Sequence, residues 1–303
     1  MTFIDEEIAR QPECWLRGEA IGGSGGPGGA ALPRPGEKVA AVGCGTSAFI
    51  AEAYARLRED AGLGVTDHFA ASEFPHSRQY DRIVAITRSG TTTEIVDLLR
   101  RQRGRTATAV LTADASAPAA GPADHVVALD FADELSVVQT RFATTVLATL
   151  RAHLGHDVAA LAAAARRVLA EPLAEAWVGA EQVTFLGRGW AHGIAREAAL
   201  KMREACQTWT EAYPTMEYRH GPISIAAPGR LVWHFGTGAG TLGEEIARTG
   251  AHFVDHDDDP QVDLIRIQRL SAAIAVMAGL DPDRPRHLHR SVVLPAPAQP
   301  AAP

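Results

Sequence analysis

"DRIVAITRSGTTTEIVDLLRRQ", residues 81–102, contains the pattern that decides the fold. The short apolar run "DRIVAI", rich in β-branched residues, predicts a strand, and "TTEIVDLLRRQ" has the apolar spacing of a helix. A turn of hydroxyl side chains around Gly90 joins the two. A strand that passes directly into a helix is the repeating unit of a parallel sheet covered by helices on both faces.

The same alternation continues along the chain and then restarts. "VTFLGRGWAHGIAREAALKM" repeats "VAAVGCGTSAFIAEAYARLR" at an offset of 144 residues, so that Val39 corresponds to Val183. A second correspondence aligns "TRSGTTTEI" with "TGAGTLGEE", where Ser89 has become Ala239. These matches predict an α/β fold of two three-layer α-β-α halves, each with a mainly parallel sheet, that arose by internal duplication.

Composition shifts along the chain predict its organisation. Residues 1–36 form a short N-terminal helix and a flexible Gly/Pro-rich connection, and residues 37–155 form the first half, which binds phosphate. An Ala-rich connecting helix covers 156–178, the second half covers 179–294, and the tail 295–303 is disordered.

The composition excludes several classes of protein. Of the 303 residues 46% are hydrophobic and 21% are charged, which is ordinary for a globular protein with a core. The net charge of −7 argues against a nucleic-acid binder, and the three cysteines form no C-x-x-C pair. The N-terminus lacks a signal peptide, and no apolar run could span a membrane. We expect a soluble cytoplasmic protein, without contact to membranes and without a metal or other cofactor.

The hydroxyl turn predicts an anion site. A helix N-terminus offers unpaired backbone N–H groups and the positive end of its dipole, and hydroxyl donors could complete the binding of a phosphate. The alternative is helix capping, since Thr91 with Glu94 fits a capping box, but capping needs neither Gly90 nor five hydroxyls. The hydroxyl residues are Thr87, Ser89, Thr91, Thr92 and Thr93.

Two further stretches suggest alternatives that fit poorly. "GCGTSA", residues 43–48, matches a dinucleotide-binding turn, but neither Asp67 nor Glu73 is well placed for the acidic residue which that fold requires. The acidic run "HDDDP", residues 256–260, has no known metal-ligand spacing and predicts a solvated turn.

"AREAALKMREAC", residues 195–206, carries the most distinctive chemistry. Glu197, Lys201 and Glu204 form one stripe of a helix, a pattern that is usually a solvated salt-bridge face. Here apolar residues line both sides of the stripe, which predicts partial burial and hence the tunable proton affinity that a general base requires. His220, in the rigid turn "MEYRHGP", is a further candidate.

These motifs together resemble a known family. "CGTS", "TRSGTT", "FLGRG", "EAALKMRE" and "EYRHGP" occur in the order seen in the sugar isomerase (SIS) fold in its doubled form. The resemblance runs from about Glu7 to Leu294 and is closest to the isomerase domain of glucosamine-6-phosphate synthase. Amino-sugar-phosphate isomerase/deaminases and fructoselysine-phosphate deglycases are similar too. No glutaminase domain is expected.

The resemblance implies which residues bind the substrate. Val137 falls in a sugar-contacting loop, and Arg88 replaces the family's glutamine and would add a formal charge at the phosphate. The implied phosphate-binding residues are Thr46, Ser47, Thr87, Arg88, Ser89 and Thr92.

The resemblance also implies catalytic roles. Glu204 would be the base that moves a proton between C1 and C2, Lys201 would stabilise the enediolate, and Glu197 would orient the lysine. His220 matches a ring-opening histidine that reaches in from a neighbouring subunit, which implies a homodimer. Arg290 stands where the synthase has an imine-forming lysine, and an arginine stays protonated and forms no imine.

We therefore expect an enzyme that acts on glucosamine 6-phosphate or N-acetylglucosamine 6-phosphate. Glu204 removes the C2 proton of the open-chain sugar, and isomerisation follows with or without loss of ammonia. One alternative is a dehydratase that eliminates the C3 hydroxyl as water from the same enediolate. Another is a non-catalytic sugar-phosphate sensor on the same fold.

Overall fold

Two parallel β-sheets form the centre of the protein in the computed structural model, which describes residues 2–295. The first sheet has the order β2-β1-β3-β4-β5 and the second the order β7-β6-β8-β9. The strands are β1 Val39–Gly43, β2 Thr66–Ala70, β3 Arg82–Thr87, β4 Ala107–Thr112, β5 His125–Ala128, β6 Gln182–Gly187, β7 Trp209–Pro214, β8 Arg230–Phe235 and β9 His252–Asp255. The expected α/β architecture is confirmed, whereas the duplication stays a prediction.

Helices surround and connect the sheets. They are α1 Phe3–Ala9, α2 Gln11–Gly22, α3 Thr46–Asp60, α4 Thr93–Gln102, α5 Arg141–His153, α6 Val158–Ala170, α7 Glu175–Val178, α8 Ala191–Cys206, α9 Leu242–Ala247 and α10 Pro260–Met277. Within residues 2–295, none of them has the length and apolar character needed to cross a membrane.

Apolar strands account for the core because the central strands are covered on both faces. Every residue of β1 and β3 is buried. Val84 and Ile86 of β3 pack toward α3 and α5, whereas Ile83 and Ala85 pack toward α4 on the opposite face. Parallel strands enclosed in this way are expected to be continuously hydrophobic rather than alternating.

Helices α3 and α8 pack against each other and bring the two halves together. At Gly193 of α8, a Cβ atom would lie 2.7 Å from the carbonyl oxygen of Phe49 in α3, so only glycine permits this approach. Beside the contact, Glu52 accepts hydrogen bonds from His192 and Arg196 across the two helices. The close packing places the N-terminus of α3 next to the middle of α8.

Two connecting segments differ from expectation. The helix predicted over 156–178 is interrupted after Ala170, because Pro172 disfavours the helical conformation for Glu171, whose ψ is 142°. The Gly/Pro-rich connection, expected to be flexible, forms consecutive hydrogen-bonded turns that bury Leu32. The expected disordered tail lies outside the described residues from residue 296 onward.

The acidic run 256–260 is not a solvated turn, so that prediction is wrong. Asp258 pairs with Arg266 at 2.7 Å, and Asp259 pairs with Arg151 at 2.8 Å. Asp259 also caps α10 by accepting a hydrogen bond from the Gln261 N–H. Within the part of the chain that the structure describes, no group of three or more His, Cys, Asp or Glu residues could hold a metal ion.

Candidate active site

The turn between β3 and α4 is shaped by a glycine and by hydroxyl groups; it is called the hydroxyl loop below and covers residues 87–93. Gly90 has a φ of +63°, and an added Cβ would lie 2.4 Å from the Cβ of Ala117. The Thr91 backbone N–H and hydroxyl both donate to the Ser89 hydroxyl, at 3.2 and 3.0 Å. The left-handed conformation at Gly90 therefore gathers these hydroxyls at the start of α4.

The capping-box interpretation of this loop is wrong. The N-cap of α4 is Thr92, whose side chain makes no capping hydrogen bond. The Thr91 hydroxyl instead contacts the Ser89 hydroxyl and the Ser291 hydroxyl, which lies 2.8 Å away. Glu94 has a buried carboxylate oxygen with no hydrogen-bond partner among the described residues. The hydroxyls are thus not used to cap the helix.

A small polar cavity of about 30 Å³ lies against the hydroxyl loop, and Ser47 and Thr92 are among its lining residues. Three buried polar atoms of its lining have no hydrogen-bond partner within residues 2–295, namely Thr87 Oγ1, Arg88 Nε and Gln139 Oε1. Buried polar groups are nearly always satisfied in native proteins, by protein, water or ligand. Such a concentration of unpaired groups favours a polar ligand at this position.

The C-terminal segment 290–294 lies across the hydroxyl loop. The Thr93 backbone N–H, at the N-terminus of α4, donates to the Val292 carbonyl at 3.2 Å. The Leu294 N–H donates to the Thr93 hydroxyl at 2.9 Å, and the Ser291 hydroxyl contacts Thr91 as described above. The segment therefore already uses one of the backbone N–H groups with which the N-terminus of α4 could bind an anion.

Arg88 does not present a free charge to the polar cavity. Its guanidinium donates to the carbonyl oxygens of Ser136, Val137 and Arg290 at 2.9, 3.1 and 3.2 Å. It also lies 3.5 Å from a carboxylate oxygen of Glu134, and both side chains are almost completely buried. The positive charge of Arg88, which the resemblance suggested for the phosphate, is therefore largely balanced by Glu134. Its Nε atom has no hydrogen-bond partner among the described residues.

Glu134 and Glu7 hold the loop that Arg88 contacts. One carboxylate oxygen of Glu134 accepts from the Thr140 N–H at 2.6 Å, the Thr140 hydroxyl at 2.9 Å and the Arg141 N–H at 2.8 Å. Glu7 of α1 accepts from the Leu135 N–H at 2.6 Å, and burial together with the charge of Glu134 raises its pKa. The contacts fix the segment that contains the predicted sugar-contacting residue, Val137.

The stripe on α8 is buried, as its apolar neighbours predicted. Lys201 Nζ lies 2.5 Å from Oε2 of Glu204 and 3.5 Å from Oε1 of Glu197. The side chains of Glu197 and Lys201 are 1% exposed, whereas Glu204 is 20% exposed. The stripe is therefore not a solvated salt-bridge face, and Glu204 is the carboxylate that solvent or a ligand can reach.

The buried charges perturb one another. Burial raises the pKa of Glu197 to about 7; the Glu204 charge acts in the same direction, and the Lys201 ammonium opposes it. Burial alone would lower the pKa of Lys201, but the carboxylates of Glu197 and Glu204 raise it above its ordinary value. Lys201 therefore stays protonated between the two carboxyl groups, and shifts of this kind are common at catalytic sites.

One cavity of about 190 Å³ joins the hydroxyl loop to the stripe; it is called the central cavity below. Thr92 lines it from the hydroxyl loop, and Lys201 and Glu204 line it from α8. Thr46 and Val137 are further lining residues. The structure thus brings together residues that the sequence places more than 100 positions apart.

Comparison with known proteins gives relatives of one kind. No protein-family model matches the chain. A glutamine–fructose-6-phosphate aminotransferase (isomerizing) from Methanothermobacter thermautotrophicus is 29% identical over 308 residues, which cover 85% of this chain and 52% of the relative. The chain spans about half the length of the curated relatives it matches. The chain is thus similar to the part of these aminotransferases that it spans, in keeping with the resemblance to the sugar isomerase (SIS) family that the motifs indicated.

Solved structures show the same fold. Glucosamine-6-phosphate deaminase from Thermotoga maritima superposes with a TM-score of 0.81 at 23% identity, over 97% of this chain and 100% of that chain. Tagatose-6-phosphate ketose/aldose isomerase from Escherichia coli gives a TM-score of 0.76 at 18% identity, over 95% of this chain and 97% of that one. The resemblance to the SIS family that the sequence motifs indicated is thereby confirmed.

Two residues that the SIS resemblance singled out lie differently. Arg290 lines the central cavity, and its guanidinium pairs with Asp133 and donates to the Glu134 carbonyl. His220 follows a 3₁₀ turn, is exposed, and does not line the central cavity. Within one chain the structure therefore leaves His220 outside the site.

Sequence reasoning missed several residues that line the central cavity. Cys44, Glu94, Gln139 and Leu288 line the central cavity, and burial raises the pKa of the Cys44 thiol to about 11. The shift favours a neutral thiol near neutral pH, which is a weaker nucleophile than a thiolate. Cys44 could have been noticed because it lies in the motif "GCGTSA", whereas no local sequence pattern pointed to Gln139 or Leu288.

Proposed function

We propose that this protein binds an amino-hexose 6-phosphate, glucosamine 6-phosphate or N-acetylglucosamine 6-phosphate, and interconverts its aldose and ketose forms. The observation that carries the proposal is the central cavity, in which Thr92 of the hydroxyl loop and the Lys201–Glu204 pair line one space. A phosphate at the loop would direct the other end of an open-chain sugar toward Glu204. The relatives named above are enzymes whose names refer to phosphorylated sugars.

Proton transfer follows from the arrangement on α8. The C1 carbonyl of an open-chain aldose acidifies the C2 hydrogen, and Glu204 takes that proton to leave an enediolate or enolamine. Lys201, protonated and 2.5 Å from Glu204, stabilises the negative charge, and the buried Glu197 orients the lysine. Where C2 carries a free amine, return of the proton to C1 gives an imine at C2, and water hydrolyses this imine to the ketose and ammonia.

The phosphate is held by hydroxyls and backbone N–H groups rather than by a free cation. The residues proposed for this role are Thr46, Ser47, Thr87, Ser89 and Thr92, and Arg88 Nε can add one hydrogen bond. Because Arg88 is paired with Glu134, its larger contribution is to fix the neighbouring loop around Val137.

Ring opening and covalent chemistry involve the two remaining candidates. His220 can open the sugar ring only if a second copy of the chain supplies it, so the proposal includes a homodimer. Arg290 cannot form an imine with a ketose, and its guanidinium is engaged by Asp133. The proposed reaction therefore proceeds without a covalent intermediate.

Proton NMR in deuterated water tests the proposed function. The protein is incubated separately with glucosamine 6-phosphate, N-acetylglucosamine 6-phosphate and fructose 6-phosphate. We expect solvent deuterium at C1 or C2 of at least one of them, with a ketose signal or released ammonia. A vinylic signal would instead show elimination of the C3 hydroxyl, and binding without exchange would indicate a sensor.

Ser89→Ala tests the phosphate assignment. Removing a hydroxyl that faces an anion should weaken binding of a sugar phosphate by about 1.5–3 kcal/mol, the contribution of a hydrogen bond to a charged group. Thr237→Ala is the control, because Thr237 lies in the second copy of this motif, where it corresponds to Thr87, and is exposed. Calorimetric titration of both variants measures the effect, and equal losses at the two loops would refute the assignment.

A further inference from the structure

A second groove opens on the other side of Glu204; it is called the outer groove below. Its volume is about 380 Å³, against about 190 Å³ for the central cavity. Glu204 and Leu288 line both spaces, so the outer groove continues the central cavity beyond the proposed base. A hexose phosphate in the central cavity leaves the outer groove without an occupant.

The lining of the outer groove combines apolar walls with positive charge. Leu200, Leu288 and Trp209 provide the apolar surfaces, and the Trp209 side chain is 75% exposed. Arg203 is fixed by hydrogen bonds to the Thr210 carbonyl and hydroxyl, at 3.2 and 3.1 Å. An exposed aromatic ring beside apolar walls suits the body of an organic substituent.

Arg286 supplies a cation at the same groove. It is exposed, and within residues 2–295 its side chain makes no hydrogen bond or ion pair. A guanidinium binds a carboxylate with two parallel hydrogen bonds where the geometry allows. The groove therefore suits a group with an apolar body and an anionic end.

The position of the groove relates this group to the sugar. In the proposed function, C2 lies at Glu204, so a substituent on the nitrogen at C2 leaves the central cavity on the side of the outer groove. We infer that the outer groove binds the acyl group of an N-acylated amino-sugar 6-phosphate, and that the preferred acyl group is longer than acetyl and ends in a carboxylate. This inference rests on the proposed function and specifies its substrate class; an N-acylated sugar keeps its nitrogen, so its enediolate returns the proton to C2 or eliminates the C3 hydroxyl as water.

Binding of unreactive analogues tests the inference. Glucosaminitol 6-phosphate has no carbonyl group and cannot lose its C2 proton, so it and its N-acetyl, N-butyryl and N-succinyl derivatives report affinity alone. Calorimetric titration of the wild type should give about tenfold tighter binding for the N-succinyl than for the N-acetyl derivative, the effect of one charge-assisted contact. The N-butyryl derivative should lie between them.

Variants of the groove separate its two components. Arg286→Ala should remove the preference for N-succinyl over N-butyryl, and Trp209→Ala should weaken both longer derivatives about tenfold. Neither should change the affinity for unsubstituted glucosaminitol 6-phosphate. Met277→Ala is the control, because Met277 is 73% exposed on α10 and lies outside the groove.

Several results would overturn the inference. Equal affinities of the wild type for all derivatives would do so, while tight, Ser89-dependent binding of glucosaminitol 6-phosphate would leave the proposed function intact. A lower molecular mass of Trp209→Ala in light scattering would show that the groove is a contact between copies. If no analogue bound, the inference and the phosphate site of the proposed function would both be wrong.

Discussion

Glu204→Gln is expected to bind the sugar phosphate as tightly as the wild type and to turn it over about two to four orders of magnitude more slowly, the usual loss when a general base is removed. The amide keeps the shape of the carboxylate and can still accept a hydrogen bond from Lys201, but it cannot take a proton from C2. Binding persists because the hydroxyl loop belongs to the other sheet and Lys201 keeps its ion pair with Glu197. Calorimetric titration and deuterium incorporation measure the two effects separately.

The same chemical change on the surface provides the control for this variant. Glu244 of α9 has a side chain that is 76% exposed and pairs with Arg248, so Glu244→Gln should keep wild-type turnover. Near-normal deuterium incorporation by Glu204→Gln would mean that another group removes the proton. That result would refute the proposed mechanism and would leave the assignment of the fold untouched.

Glu134→Ala should lower the free energy of unfolding by about 3–5 kcal/mol, the range observed when one partner of a buried ion pair is removed. The Arg88 guanidinium, whose side chain is 1% exposed, would be left without its counter-ion. The Thr140 and Arg141 N–H groups would also lose their acceptor. Urea unfolding followed by circular dichroism measures the change.

A surface ion pair gives the comparison for Glu134. Glu13 and Arg166 lie 3.2 Å apart, and both side chains are about half exposed. Exposed pairs of this kind contribute at most about 1 kcal/mol, so Glu13→Ala should change stability little. If Glu134→Ala were as mild as Glu13→Ala, Arg88 would have to find another partner, and our account of the loop around Val137 would be wrong.

Local pattern predicted the sheets well because buried parallel strands are marked by short apolar runs. "KVAAVG" and "DRIVAI" coincide with β1 and β3, since strands covered on both faces tolerate few polar residues. In "VVQTRFATTV" the sequence pattern would allow a helix from Val137 onward, but α5 begins only at Arg141. Residues 137–140 are held instead by the nearby Glu134 and by Arg88, which lies 49 positions before Val137.

The part of the candidate site that lies on a single helix could be predicted from the sequence. The stripe of Glu197, Lys201 and Glu204 could be recognised because its apolar flanks lie on the same helix. The pairing of Arg88 was not predictable, because its acceptors lie 46 to 202 positions away and three of its contacts are to backbone carbonyls, which carry no sequence signal. The capping-box alternative was wrong for a related reason. The Thr91 hydroxyl contacts the Ser291 hydroxyl, which lies 200 positions later in the sequence.

The carbonyl of Val292 has a consequence for how the protein responds to its ligand. A phosphate bound at the N-terminus of α4, as proposed, would have to displace a segment of the same chain, because that carbonyl already accepts the Thr93 N–H. Segment 290–294 would compete with the phosphate as part of the same molecule. A competitor tethered by a short flexible connection acts at an effective concentration of roughly millimolar, whatever the protein concentration. For the proposed sugar phosphate, the apparent affinity would then equal the intrinsic affinity multiplied by the fraction of molecules in which the segment has left the loop. The length and stiffness of the chain between α10 and Val292 thus set the ligand concentration at which the site fills.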